Sequence, residues 1–344
     1  MLGAILAAVT LAVTSPALSD DQLAGTRVIT GFSGHHPPKA LRRMISSGQI
    51  GGVILFDGNV GSRRSVRRLT SDLQAIPRPA SITQPLLISV DQEGGLVRRL
   101  PGPPKPSARV IGARGAAFAE RLGRATGRSL HAMGLNVDLA PVLDVGRPGR
   151  AIEQEGRTFA RTPAAVSQIG VGFARGLATG GVEATAKHFP GLGAARINTD
   201  NAIQKIRLPA AKLRAVDEQP FGSFAQAGGA MVMLSTAIYP ALSGKPAALS
   251  RAISTGELRD RLGFQGVSIT DALGSVSARA VGGPAKTALA AARAGTDLAL
   301  FTDLGDAARA QRALARGLRN GSLDRAEFET SVNRILALRA GPQP

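Results

Sequence analysis

Two adjacent side chains, Lys187 and His188, close a short apolar run, Val182 to Ala186, that has the character of a buried strand. A cationic donor beside a titratable ring could hold hydroxyls or an anion, or could form an ion-paired strand end. Spacing alone leaves both readings open. Pro190, Gly191 and Gly193 then break regular structure, so the following dozen residues are expected to form a mobile loop carrying Asn198 and Asp200. Two further carboxylates stand in comparable places. Asp91 opens Asp-Gln-Glu-Gly-Gly behind the run Leu86 to Val90, where it could accept two vicinal hydroxyls or cap the turn made by Gly94 and Gly95. Asp271 ends the run Val267 to Thr270 and is the strongest candidate for a catalytic carboxylate, the alternative being an Asp that bonds loop amides.

These residues need elements to hold them. Eight strand-like runs occur: Arg27 to Thr30, Gly52 to Phe56, Leu86 to Val90, Asn136 to Ala140, Glu183 to Lys187, Ala230 to Leu234, Val267 to Thr270 and Asp297 to Phe301. Helical signals lie between them. Thr162-Pro163 reads as a cap and first-turn proline before Val166, Ile169, Phe173 and Leu177, with Gly180-Gly181 as the stop. Asp324 and Glu327 read as a capping box before Phe328, Val332, Ile335 and Leu336. Alternating strands and helices predict a single-domain α/β fold, a (β/α)8 barrel of the TIM type, with a doubly wound open sheet as the alternative. In such a barrel reactive residues sit at the C-terminal ends of the strands. Asp91, Asp144, Lys187, His188 and Asp271 all fall there, and the Pro-rich segment Leu100 to Pro106 reads as a loop over that rim.

Composition narrows the class. The 344 residues and 44% apolar content suffice for a barrel core. Met1 to Ser19 carries no charge and runs through an apolar stretch to Pro16, Ala17 and Ser19, the pattern of a signal peptide, which leaves residues 20–344 as the barrel domain. An uncleaved anchor is the alternative, although the apolar run is short for a span. Without cysteine, no disulfide or thiolate metal site exists. The net charge of +18 would suit an anionic partner. Only Arg63, Arg64, Arg67 and Arg68 cluster, at the spacing of a solvated helix face, and no aromatic RNA-reading element accompanies them, so nucleic acid is not expected. Tryptophan is absent, so no indole face is offered for stacking, and a polar ligand would be held mainly by hydrogen bonds.

Lys187-His-Phe-Pro-Gly-x-Gly193 resembles the signature of family 3 glycoside hydrolases of the β-N-acetylhexosaminidase type, known from peptidoglycan recycling, and the similarity runs from about Val28 to the last helix. Asp91-Gln-Glu-Gly-Gly-Leu-Val is similar to the family's Asp-Gln-Glu-Gly-Gly-Arg-Val, with Leu96 in place of its arginine. The resemblance implies that Asp91, Arg99, Arg157 (in Gly-Arg-Thr-Phe), Lys187 and His188 bind the sugar. It further implies that Asp271 is the nucleophile of a retaining mechanism with a glycosyl-enzyme intermediate. Where the family has Asp-Ser-His, with the His as acid/base, this chain has Asn198-Thr199-Asp200; Leu192 also replaces a common histidine. His35, His36 and His131 match no family catalytic position. Asp200 occupies the histidine's place and would serve as acid/base if its surroundings raise its pKa.

The expectation is a secreted or cell-envelope exo-β-N-acetylglucosaminidase that hydrolyses terminal residues of cell-wall fragments or related glycosides, without metal or organic cofactor and without stable membrane insertion once the leader is removed. One alternative is a non-catalytic amino-sugar-binding protein with a degenerate acid/base loop, against which the retention of Asp271 argues. Transfer to phosphate instead of water is a third reading, disfavoured because an anionic Asp200 would repel phosphate at close range.

Overall fold

The computed structural model describes residues 17–341; Met1 to Pro16, most of the expected leader, lie outside the described residues. Eight parallel strands form the centre: β1 (Val28–Thr30), β2 (Gly52–Leu55), β3 (Leu87–Val90), β4 (Val137–Asp138), β5 (Glu183–Phe189), β6 (Met231–Leu234), β7 (Val267–Thr270) and β8 (Ala299–Phe301). Each pairs with its neighbours in chain order, and β8 returns to β1 with Val28 opposite Ala299. The ring closes through a parallel bridge between Ile269 and Leu298, where Leu298 N donates to Ser268 O (2.9 Å) and Thr270 N to Leu298 O (2.9 Å). This is the expected (β/α)8 barrel, and the closure excludes the open sheet.

The strands are short aliphatic runs because both of their faces are covered. Alternate residues, among them Ile29, Ile54, Leu87, Leu139, Met233 and Ile269, fill the barrel interior. Their neighbours, such as Val28, Val53, Ile88 and Val232, pack outward against the helices. Strand β5 runs two residues beyond the expected Lys187, so Lys187 and His188 lie within the strand; Lys187 is still paired with Met233, and the register shifts between Lys187 and Phe189.

The helix Pro163–Thr179 begins at its proline, but Thr162 makes no side-chain cap bond. Asp324 accepts from Glu327 N (2.8 Å) before the helix Arg325–Arg339, with no reciprocal bond from Glu327, whose side chain is engaged by Arg251 (2.7 Å). At the other end of the described chain, Ser19 caps the helix Asp20–Thr26 in a complete capping box with Gln22. Arg325 binds Asp20 at 2.6 Å and ties that helix to the last one. No helix among the described residues is long and apolar enough to cross a membrane.

Candidate active site

At the C-terminal rim a cavity of about 550 Å³ is lined by all seven residues singled out in the sequence: Asp91, Arg99, Arg157, Lys187, His188, Asp200 and Asp271. They arrive on different elements. Asp91 follows β3, where the chain folds into a small ribbon, Gln92–Gly94 against Val97–Arg98. Gly94 (φ +98°) makes the ribbon possible, since a Cβ there would stand 2.3 Å from Pro106 O. Gln92 fastens the rim loop by donating Nε2 to Leu100 O and Pro103 O, both at 3.0 Å.

Lys187 and Arg157 are bound together by a residue that sequence reasoning did not assign. Lys187 Nζ lies 2.6 Å from Asp91 Oδ1 and 2.7 Å from Glu93 Oε1. Arg157 grips the same Glu93 with Nε at 2.8 Å and Nη2 at 2.9 Å, and reaches Glu155 with Nη1 at 3.1 Å. Burial would push the Glu93 carboxyl up, but the charges and hydrogen bonds of Lys187 and Arg157 outweigh it and hold it at about 2. Burial would likewise push Lys187 and Arg157 down, and their carboxylate partners raise both instead. Both cations therefore stay charged in the buried wall. Beneath them Asp138 is fully enclosed; burial raises its pKa far above the ordinary value, opposed by the hydrogen bond from Gln92 N to Oδ1 (3.0 Å), and Oδ2 has no partner among the described residues.

His188 is oriented by Asp144, the second residue without an assigned role. The ring Nδ1 lies 2.8 Å from Asp144 Oδ2, while Asp144 Oδ1 accepts from Leu192 N (2.6 Å) and His188 N (3.3 Å). One carboxylate thus fixes the ring and the root of the loop after β5. Arg99 meets Asp57 at 3.2 Å on the more open side. His35 contacts Asn59 O (3.3 Å) and does not line the cavity, and His131 ends the helix Ala116–His131.

Asp271 N donates to Leu234 O (2.8 Å), and its Oδ1 accepts from Ala272 N (2.7 Å), so the carboxylate is fixed at the end of β7. Across the cavity mouth Asp200 sits in a turn in which its N donates to Asn198 Oδ1 (3.0 Å). One side of Asp200 is open to solvent, and the other is crowded by the wall. That partial burial raises its carboxyl pKa, and the Asp271 charge adds to the effect, partly offset by His188 and Arg157. The loop carrying it is pinned at both ends. At Gly193 a Cβ would stand 2.0 Å from Val145 O, and farther on Ile206 N bonds Ile238 O (2.8 Å).

The arrangement gathers two carboxyl groups, Asp271 and the Asp200 of raised pKa, and a dense set of hydrogen-bonding ions around one cavity. A protein of Arthroderma benhamiae described as an uncharacterized secreted glycosyl hydrolase is 39% identical, over 98% of each chain. A beta-hexosaminidase of Chromobacterium violaceum is 34% identical over 83% of this chain and 81% of its own. The structure of a glycoside hydrolase family 3 beta-N-acetylglucosaminidase from Paenibacillus sp. str. FPU-7 superposes with a TM-score of 0.89 at 32% identity, covering 95% of this chain and 64% of that one. The family model for the glycosyl hydrolase family 3 N terminal domain matches residues 19–338, nearly the whole barrel, and to that family the chain belongs.

Proposed function

We propose that the protein is a retaining exo-β-N-acetylglucosaminidase. The observation that carries this reading is the meeting of Asp271 and Asp200 with the Lys187–Asp91–Glu93–Arg157 network in one cavity. In the first step Asp271 attacks the anomeric carbon while Asp200 gives its proton to the leaving oxygen, forming a glycosyl-enzyme ester. In the second, Asp200 takes a proton from water, whose oxygen displaces Asp271 and restores the β-anomer. Asp91, Lys187, Arg157, Arg99 and His188 bind the hydroxyls and acetamido group of the terminal sugar. The beta-hexosaminidase and beta-N-acetylglucosaminidase names of the relatives support the substrate.

The leader-like Met1 to Ser19 and the secreted relative support export, and cell-wall fragments fit such a location. Purified protein should turn over an aryl β-N-acetylglucosaminide and leave the β-glucoside almost untouched. Binding of N-acetylglucosamine without turnover of either would make the protein a sugar-binding protein instead.

A further inference from the structure

Most of the positive charge plays no part in the cavity, and it is unevenly spread. From Arg63 to Arg128 the chain carries thirteen Arg or Lys against four Asp or Glu, so nine of its eighteen excess positive charges fall on 66 of 344 residues. Two of those four acids, Asp91 and Glu93, are occupied in the cavity. Among the described residues only Arg99 and Arg124 of the thirteen have a carboxylate within 4 Å. Thirteen of the other twenty-nine basic residues do. Ion pairing is thus about three times as frequent outside this segment as within it.

The arginines of two helices in this segment share one flank. The helix Arg63–Gln74 lies beside the helix Ala116–His131, with Arg63 Nη1 donating to Ser129 Oγ (2.8 Å) and Thr70 Oγ1 to Met133 O (2.7 Å). Arg67 falls on the same helical stripe, between those two contacts, and Arg64 and Arg68 on the next. Arg121 and Arg128 are two turns apart on the second helix, and all five are exposed. The flank reaches the mouth: Arg63 also approaches Pro101 O (3.4 Å), Arg98 holds Gly102 O (3.2 Å), and the neighbouring Arg99 lines the cavity. A chain leaving the cavity over this loop would run onto the arginines.

We propose that this flank docks a phosphodiester-bearing glycan polymer while a terminal β-N-acetylglucosamine branch of it enters the cavity. The identity of the branch sugar rests on the function proposed above; the docking face does not. Twelve of the thirteen cations are arginine, whose planar fork pairs with phosphate oxygens. The same fork pairs with carboxylates, so polygalacturonate is the competitor that separates the two anions. Nucleic acid fits less well. Phe118 is the only aromatic residue between Arg63 and Arg128, and Arg114 covers it, with the guanidinium 4.9 Å from the ring centre.

The test is binding of N-acetylglucosamine-substituted poly(glycerol phosphate) to the purified protein at 50 and 200 mM salt, with polygalacturonate and duplex DNA as competitors. Engagement of about four arginines should weaken binding by on the order of tenfold or more across that salt range. The variant R64E/R67E/R121E/R128E should lose binding at 50 mM salt and lose turnover of the polymer, while its kcat/KM for an aryl N-acetylglucosaminide stays that of the wild type. The corresponding Arg→Gln variant, which adds no charge, should be intermediate and should melt at the wild-type temperature. Binding unaffected by either variant, or polygalacturonate or DNA competing equally well per charge, would overturn the proposal. Failure to hydrolyse the aryl glycoside, with arginine-dependent polymer binding intact, would count against the glycosidase reading and for the docking face.

Discussion

Glu93 offers a quantitative test of the ion network. Its carboxyl is held at about 2 against an ordinary 4.5 because Lys187 and Arg157 both bind it in a buried wall. At about 1.4 kcal/mol for each tenfold change in proton affinity, this favours the charged form by roughly 3 kcal/mol, within the usual range for one partner of a buried pair. Glu93→Gln keeps the shape and removes the charge, so it should lower unfolding stability at pH 7 by roughly 3 kcal/mol. The sign of the pH dependence follows. A carboxyl with a depressed folded-state pKa stabilises above its unfolded value near 4.5 and loses that contribution as pH falls toward 2. By pH 3 about 2 kcal/mol of it should be gone, and wild type and variant should then differ by only about 1 kcal/mol. Urea denaturation at pH 7, 5, 4 and 3 measures both curves. A variant as stable as the wild type at pH 7, or a difference that does not narrow on acidification, would refute the reasoning.

Three further outcomes are expected. A 2-fluoro amino sugar with a good leaving group should label Asp271, located by peptide mass spectrometry, and Asp271→Asn should abolish turnover; label on another residue would remove Asp271 from its role. Asp200→Ala should slow an unactivated disaccharide by about 10² to 10⁴ and an activated aryl glycoside far less in its first step, with azide restoring the second step and giving a β-glycosyl azide. Because the Asp200 pKa is raised, kcat/KM for the disaccharide should fall with increasing pH at a point above the ordinary carboxyl value, and this limb should vanish in the variant. Export with removal of the leader should leave a mature N-terminus near Asp20, read by intact-mass measurement; because the Ser19 hydroxyl caps the first helix, cleavage before Ser19, one residue earlier than the sequence pattern places it, is the expected position.

The barrel was legible because each strand is a run of aliphatic residues ending in a polar one, and helix signals such as Pro163 and Gly180 separate the runs. The seven cavity residues were legible as strand-end polar groups or through their family pattern. Glu93 was not, although the signal was present. Residues two apart in an extended segment point to the same side, so Asp91 and Glu93 face Lys187 together. Asp144 is visible as a rim carboxylate, but its ring partner lies 44 residues away, and no local pattern pairs them. The extension of β5 was not legible because Lys187 and His188 are polar; their burial is compensated by Asp91 and Asp144 in the segments that follow β3 and β4, which a local hydropathy pattern does not register.

The loop after β5 is fixed at Gly193 against Val145 and again at Ile206 against Ile238, with Asp200 on the span between. Its anchors belong to the scaffold, while the ions of the Lys187–Asp91–Glu93–Arg157 network sit on β5, at the end of β3, on its ribbon and in the segment before the helix Pro163–Thr179. On the mechanism proposed above, the proton donor is therefore a separable part. Replacement of its chemistry, His by Asp or the reverse, leaves Asp91, Glu93, Arg157 and Lys187 and their mutual geometry intact. On that mechanism, exchange of the donor would move the working pH and leave the ions proposed to hold the sugar unchanged.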